Sequence, residues 1–375
     1  MFKKLVLILS VIIFYSCSPD AETKKDDTLN PVPLSYAKRF TVKTSSDYCV
    51  LELHGNKNDS DVTATFVLYK NQKPNYSKDA YYIKTPVTRV ASMSSIYTTM
   101  IAQLNCADKI VAIDNVDYYN NIFIQEQVKK GTIIELSKGP QTDIEKTIAL
   151  NPDLFLTFGM GSPKDDVDKK LVQSQMPIAV SIDHLEETPL ARAEWIKFYA
   201  YFFNKETLAD SLFKITEQKY NDLKNIALKT TKKPSVLTEI KYGDAWYIPA
   251  GNSFIAHLIE DAGGDYFWKE DTKTGSSAQS FETVYAKAKD CDIWINLYNL
   301  NSKKELLSYD ERYGLFKPCQ NNQLYNNNKI QNALGYSNYW ETGITHPEDV
   351  LADLIAIFSP TLMPNHEFNY YKKLE

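Results

Sequence analysis

The sequence predicts an α/β protein: two α/β lobes with central parallel sheets, bridged by one long α-helix, with a ligand cleft between the lobes and a small N-terminal β appendage. Three patterns predict this. Short apolar runs alternate with helical stretches in two blocks, RVASM, KIVAID, DLFLTFG and PIAVSID in the first, SVLTEI, IWINLYN and QLYNN in the second. Parallel strands read as such continuous runs because helices cover both faces of their sheet. Between the blocks, Leu208, Leu212, Ile215, Leu223 and Ile226 are spaced for one apolar helical stripe. Ahead of the first block, YCVLELHG and TATFVLYKN alternate polar and apolar residues with Asn-, Asp- and Gly-rich breaks, the period of a half-buried sheet.

Composition agrees. At 375 residues a single core normally splits into two. With 13 Gly and 16 Pro the chain is not low-complexity, and a net charge of −5 argues against a nucleic-acid partner. The 25 Tyr and 5 Trp are enough amphipathic rings to line a cleft as well as a core.

Residues 1–16, MFKKLVLILSVIIFYS, read as a signal peptide: two lysines, then an apolar run from Leu5 to Tyr15 broken only by Ser10. That run is about half of the roughly 20 residues a bilayer-spanning helix needs. Ser16 and Cys17, followed by SPDAETKKDDTLNP, resemble a bacterial lipoprotein signal, although Phe14 stands where leucine is usual. The resemblance implies that Cys17 becomes the lipidated N-terminus, anchored to a membrane of the cell envelope and facing the periplasm or the exterior. Residues 17–34 would be a flexible tether, and 35–87 the β-rich appendage.

The N-terminal α/β lobe is expected over 88–187, where Ile96, Met100, Ile101 and Leu104 mark one helix face and Gly131 ends the next helix. Thr188 followed by Pro189 is a helix-start signal. The bridging helix is expected over 188–232 with a bend near Asn204, and Pro234 follows it. The C-terminal lobe takes 233–345, and 346–375 a returning helix and tail. A rigid helical bridge limits hinge closure, so the cleft should be largely preformed.

Export makes disulfides possible for Cys49, Cys106, Cys291 and Cys319, whose spacing contains no C-x-x-C. Cys291 and Cys319, both ahead of strands in one lobe, are the favoured pair, with buried free thiols as the other reading. No H-E-x-x-H, G-x-S-x-G or P-loop occurs, and Gly159, Met160, Gly161 lacks the third glycine of a dinucleotide fingerprint. His54, His184, His257, His346 and His366 are scattered, so no metal site, resident cofactor or catalytic residue is predicted.

Two carboxylates stand at comparable places, Glu145 in QTDIEKTIALNPDLFLTFG and Glu282 in SAQSFETVYAKAKDCDIWINL, each in the first turn of a helix leading to a strand. On their own they read as complements to helix dipoles. From about Thr88 to Leu362, however, the chain resembles the substrate-binding proteins of bacterial ABC importers for cobalamin, siderophores and haem. The resemblance rests on TRVASMSS, EKTIALNPDLFL, GNSFIAHLIEDAGG, FETVYAKAKDCDIWINL and YWETGITHPEDVLADLIAIFSP. It implies a monomeric receptor that hands a metal chelate to a permease and its ATPase, with Glu145 and Glu282 as the docking residues that meet permease arginines. Residues 35–87 are not part of the common pattern.

The ligand should lie where α/β folds bind ligands, at the carboxyl ends of the strands. In the first lobe these ends offer Ser94, Ser95, Tyr118, Tyr119, Gln141 and Met160. In the second they offer Tyr242, Trp246, Ser276, Tyr298, Asn299, Asn327, Tyr339 and Trp340. Rings and amides suit a large flat or partly apolar ligand, and only Arg89, Arg192 and Arg312 occur in the core region to hold an anionic one. A corrinoid, haem or neutral iron chelate fits best. The competing readings are a two-lobed α/β enzyme or metal-cluster protein, and a surface lipoprotein that only scavenges ligand.

Overall fold

A computed structural model describes residues 28–55, 61–139 and 141–375. The signal segment and Cys17 lie outside the described residues.

The N-terminal sheet has the order β1 (Asn30–Val32), β2 (Phe40–Thr44), β3 (Tyr48–His54), β4 (Val62–Tyr69), β5 (Tyr81–Lys84). The first four strands pair antiparallel and β5 runs parallel to β4. The strand β1 therefore lies inside the segment expected to be a flexible tether. The sheet is bound to the first lobe by packing and by charge. Phe40 packs against Trp195 and Phe198, at ring separations of 4.9 and 5.5 Å. The Glu194 carboxylate accepts the backbone N–H groups of Ser35, Tyr36 and Ala37 at 2.8–2.9 Å. Glu186 accepts those of Lys38 and Arg39, together with the Trp195 indole N–H. Both carboxylates are buried, a location that charged groups tolerate only when hydrogen-bonded in this way.

The first lobe contains β6 (Val90–Ser92), β7 (Ile110–Ile113), β8 (Ile134–Glu135), a small ribbon of β9 (Ser137–Lys138) with β10 (Gln141–Thr142), then β11 (Leu154–Phe158) and β12 (Ile178–Ser181). Its main sheet is parallel throughout, ordered β12-β11-β6-β7-β8. β6 and β12 are buried at every position, which is why the sequence shows apolar runs there rather than alternation.

The second lobe contains β13 (Ser235–Thr238), β14 (Lys241–Tyr242), β15 (Ala245–Pro249), β16 (Asp265–Tyr266), β17 (Ser276–Gln279), β18 (Ile293–Ile295), β19 (Leu324–Asn326) and β20 (Lys372–Lys373). The main sheet is ordered β16-β13-β18-β19-β20, parallel except for the edge strand β20. β14, β15 and β17 form a separate antiparallel sheet.

The connection is three helices rather than one: Pro189–Ala193, Ile196–Phe203 and Glu206–Ala227. Asn204 ends the second in the left-handed conformation, φ 53°, which breaks the helix more sharply than the expected bend. The 22-residue third helix makes the bridge and is about 33 Å long at helical rise. Its Ala209 and Phe213 belong to the first lobe's core, its Tyr220 and Ala227 to the second's. The cysteine expectation is corrected: Cys49, Cys106, Cys291 and Cys319 are free and buried. Burial pushes the thiols of Cys49 and Cys291 up to about 12.

Candidate functional site

The carboxyl ends of β12 and β13 face each other across the lobes, and between them lies a cavity of about 660 Å³. The first lobe and the start of the helical connection line it with His184, Glu186, Glu187 and Arg192. The second lobe contributes Glu239, Tyr247, Pro249, Phe254, Ser276 and Trp340. The volume is within the range of small-molecule sites. Trp340 is 53% exposed, and Tyr247, which also lines the cavity, is 50% exposed. More rings stand free at other strand ends: Tyr242 and Tyr298 lie 6.2 Å apart, and Tyr118 meets Tyr336 edge-on at 5.0 Å.

The polar floor is built from both lobes. Arg192 donates from Nη2 to Asp183 Oδ2 at 3.1 Å and lies over the Phe254 ring, 5.1 Å from its centroid. Glu239 follows β13 with φ 65°, and its backbone carbonyl accepts the Trp294 indole N–H at 2.8 Å. Its carboxylate is contacted at 3.4 Å by Thr238 Oγ1 and Asn296 Nδ2. Burial, only partly offset by these donors, pushes it up to about 7. Desolvation also holds His184 below its ordinary value.

To one side, the lobes are tied by direct contacts. Glu341 of the second lobe accepts the backbone N–H groups of Asn120 and Asn121 of the first. Asn332 Nδ2 donates to the Asp117 carbonyl at 2.7 Å, and Gln103 Nε2 meets His346 Nε2 at 2.8 Å.

Ser276 and Trp340 are the expected contacts that line this cavity. Tyr118, Met160, Tyr242, Tyr298 and Asn299 lie at strand ends with exposed or half-buried side chains. Four expected contacts are corrected. Trp246 is fully buried, stacked on Trp294, because alternation along β15 turns it inward. Tyr119 is also buried; its hydroxyl donates to Asp114 Oδ1 at 2.8 Å. Asn327 is buried and its carbonyl accepts the Ser337 hydroxyl. Tyr339 is 1% exposed, packed against Tyr370 and Tyr371. Ser94 caps the helix Ser95–Gln103 by accepting the Ile96 N–H. Gln141 is exposed beside a different, 420 Å³ pocket. Glu239 and Arg192 were not expected here. Glu239 could have been found by the strand-end rule, since it directly follows SVLT, whereas nothing local marks Arg192.

Glu145 and Glu282 sit where expected, in the first turns of helices capped by Asp143 and Ser280. Both are exposed, and Glu282 lies 3.6 Å from Arg312 Nη1. Among the described residues no group of three or more His, Cys, Asp or Glu is placed to hold a metal ion.

The model of the family described as "Periplasmic binding protein" matches residues 90–328. The chain belongs to the periplasmic binding protein family. The match leaves the N-terminal sheet and the C-terminal tail outside it. Two uncharacterized lipoproteins of Methanocaldococcus jannaschii are similar: one is 26% identical over 84% of this chain and 77% of its own length, the other 24% over 96% and 90%. Among solved structures, a possible iron-binding periplasmic solute-binding protein from Staphylococcus epidermidis superposes with TM-score 0.57 at 17% identity, over 73% of this chain and 100% of that one. The periplasmic heme-binding protein RhuT from Roseiflexus, in its apo form, gives 0.56 at 16%, over 74% and 99%. The vitamin B12 binding protein BtuF of Vibrio cholerae gives 0.53 at 14%, over 74% and 98%. At these identities they share the fold with this periplasmic binding protein.

Proposed function

We propose that the chain is the lipid-anchored substrate-binding protein of an ABC importer. It captures a metal chelate of the iron-siderophore, haem or corrinoid class between its lobes and delivers it to a membrane permease. The observation that carries this reading is the 660 Å³ interlobe cavity with a half-exposed Trp and Tyr on its wall. Such rings offer flat apolar faces to a macrocycle or chelate at little entropic cost. Relatives named as lipoproteins support the anchor at Cys17. Glu145 and Glu282, one on each lobe and both exposed, suit docking on a roughly two-fold permease, where paired charges set orientation and speed encounter.

Titration of the full chain with cyanocobalamin, haemin and ferric siderophores tests the reading by tryptophan quenching. These ligands absorb in the tryptophan emission band and quench buried and exposed tryptophans alike, so a Trp340→Phe variant should keep a signal and bind more weakly. Saturable submicromolar quenching by one ligand is expected. No response to any of them would remove the import reading.

A further inference from the structure

The charges lining the cleft are unbalanced. Among the described residues, Arg192 is the only lysine or arginine lining the cavity; its Nη2 is paired with Asp183, while its buried Nε has no hydrogen-bond partner. Desolvation lowers the proton affinity of His184. Against these stand three carboxylates, Glu186, Glu187 and Glu239. Glu186 spends its oxygens on backbone N–H groups of residues 38 and 39. Glu187 and Glu239 have no cationic partner among the described residues. An uncompensated carboxylate in a partly dry cleft is costly, which is why burial pushes Glu239 up to about 7, and a cationic or N–H-donating ligand would favour its charged form.

The backbone at Glu239 makes the same point independently. Its φ of 65° lies in the left-handed region, where glycine or asparagine sits with less strain than glutamate. The turn after β13 would be served better by either, so the side chain has a use of its own. Its position supplies one: the strand end directs it to the cavity that also holds Trp340 and Tyr247.

We propose that the cleft selects by charge, taking an uncharged or cationic metal chelate that presents N–H donors to Glu239 and discriminating against polyanionic chelates. This rests on the reading of the cleft as the ligand site. The aromatic wall contributes contact area to any flat ligand, whereas Glu239 and Glu187 penalise a ligand that brings negative charge.

The test uses the full chain in detergent and three probes: ferrioxamine B, a cationic iron trihydroxamate with a free ammonium; cyanocobalamin, uncharged and rich in amides; and a triply anionic ferric tricatecholate. One of the first two should bind at least roughly tenfold more tightly than the tricatecholate. Glu239→Gln should weaken that ligand by about ten- to a hundredfold, the range of a hydrogen bond to a charged group, without weakening the anion. The ionic-strength dependence of the unmutated chain gives a second reading that needs no variant: affinity for ferrioxamine B should fall with salt while that for the tricatecholate rises. Tricatecholate binding as tight as either other probe, or unchanged affinity in Glu239→Gln, overturns the charge rule and leaves the import reading standing. Failure of all three probes overturns both.

Discussion

The indole rings of Trp246 and Trp294 stack 5.6 Å apart at an interplanar angle of 24°, and both are fully buried in the second lobe. Tyr313 and Phe316 close around Trp246 at 5.6 and 5.9 Å. The Trp246 indole N–H reaches the Thr238 carbonyl at 3.3 Å, so the ring also pins the end of β13 directly before Glu239.

This placement separates two tryptophans by role. Trp246→Ala should cost about 3–5 kcal/mol of stability by opening a cavity, seen as a lowered denaturant midpoint. Trp340→Ala, on the cleft wall, should leave the midpoint nearly unchanged and weaken ligand binding about tenfold or more, on the scale of about 1–3 kcal/mol for a stacked ring. Equal loss of stability in both variants would show that Trp340 is part of the core.

The N-terminal sheet depends on Glu194. Replacing it with alanine leaves the N–H groups of Ser35, Tyr36 and Ala37 without their acceptor, at a cost of about 1–3 kcal/mol for each group that stays buried. Glu194→Ala should therefore detach residues 28–39 from the lobe, read as faster amide exchange there and early proteolysis. Glu194→Gln keeps one acceptor oxygen and should lose less.

Asp114 gives a pH dependence with a definite sign. Burial pushes its carboxyl up to about 6 from an ordinary 3.8, so the folded chain holds a proton that the unfolded chain releases. The stability this provides is complete below about pH 4 and is lost as pH rises through 6. Asp114→Asn keeps an acceptor for the Tyr119 hydroxyl and removes the charge. It should gain about 2–3 kcal/mol relative to the unmutated chain between pH 4.5 and 7.5, measured from urea midpoints at the two values. A parallel shift at both would count against it.

Reversing Glu145 and Glu282 to lysine should abolish uptake of ligand while cleft binding persists, because both are exposed and neither lines the cavity. Uptake in membrane vesicles and a parallel titration check the two halves. Unimpaired transport in the double variant would dismiss the docking role.

The two α/β blocks, the bridging stripe, the N-terminal sheet and the helix-start positions of Glu145 and Glu282 were legible in the residue pattern alone. Each of these is written in local periodicity, in capping residues such as Asp143 and Ser280, or in turn chemistry, all of which act within a few residues along the chain. Which strand-end residues face the cleft was decided only by tertiary structure. Trp246 and Tyr247 are adjacent in sequence, yet the pleat sends one into the core and the other to the cavity. Arg192 belongs to the helical connection and Phe254 to the second lobe, and they meet only through tertiary packing. The burial of Glu186 and Glu194 against residues 35–39 depends likewise on contacts between distant segments, which no local pattern encodes.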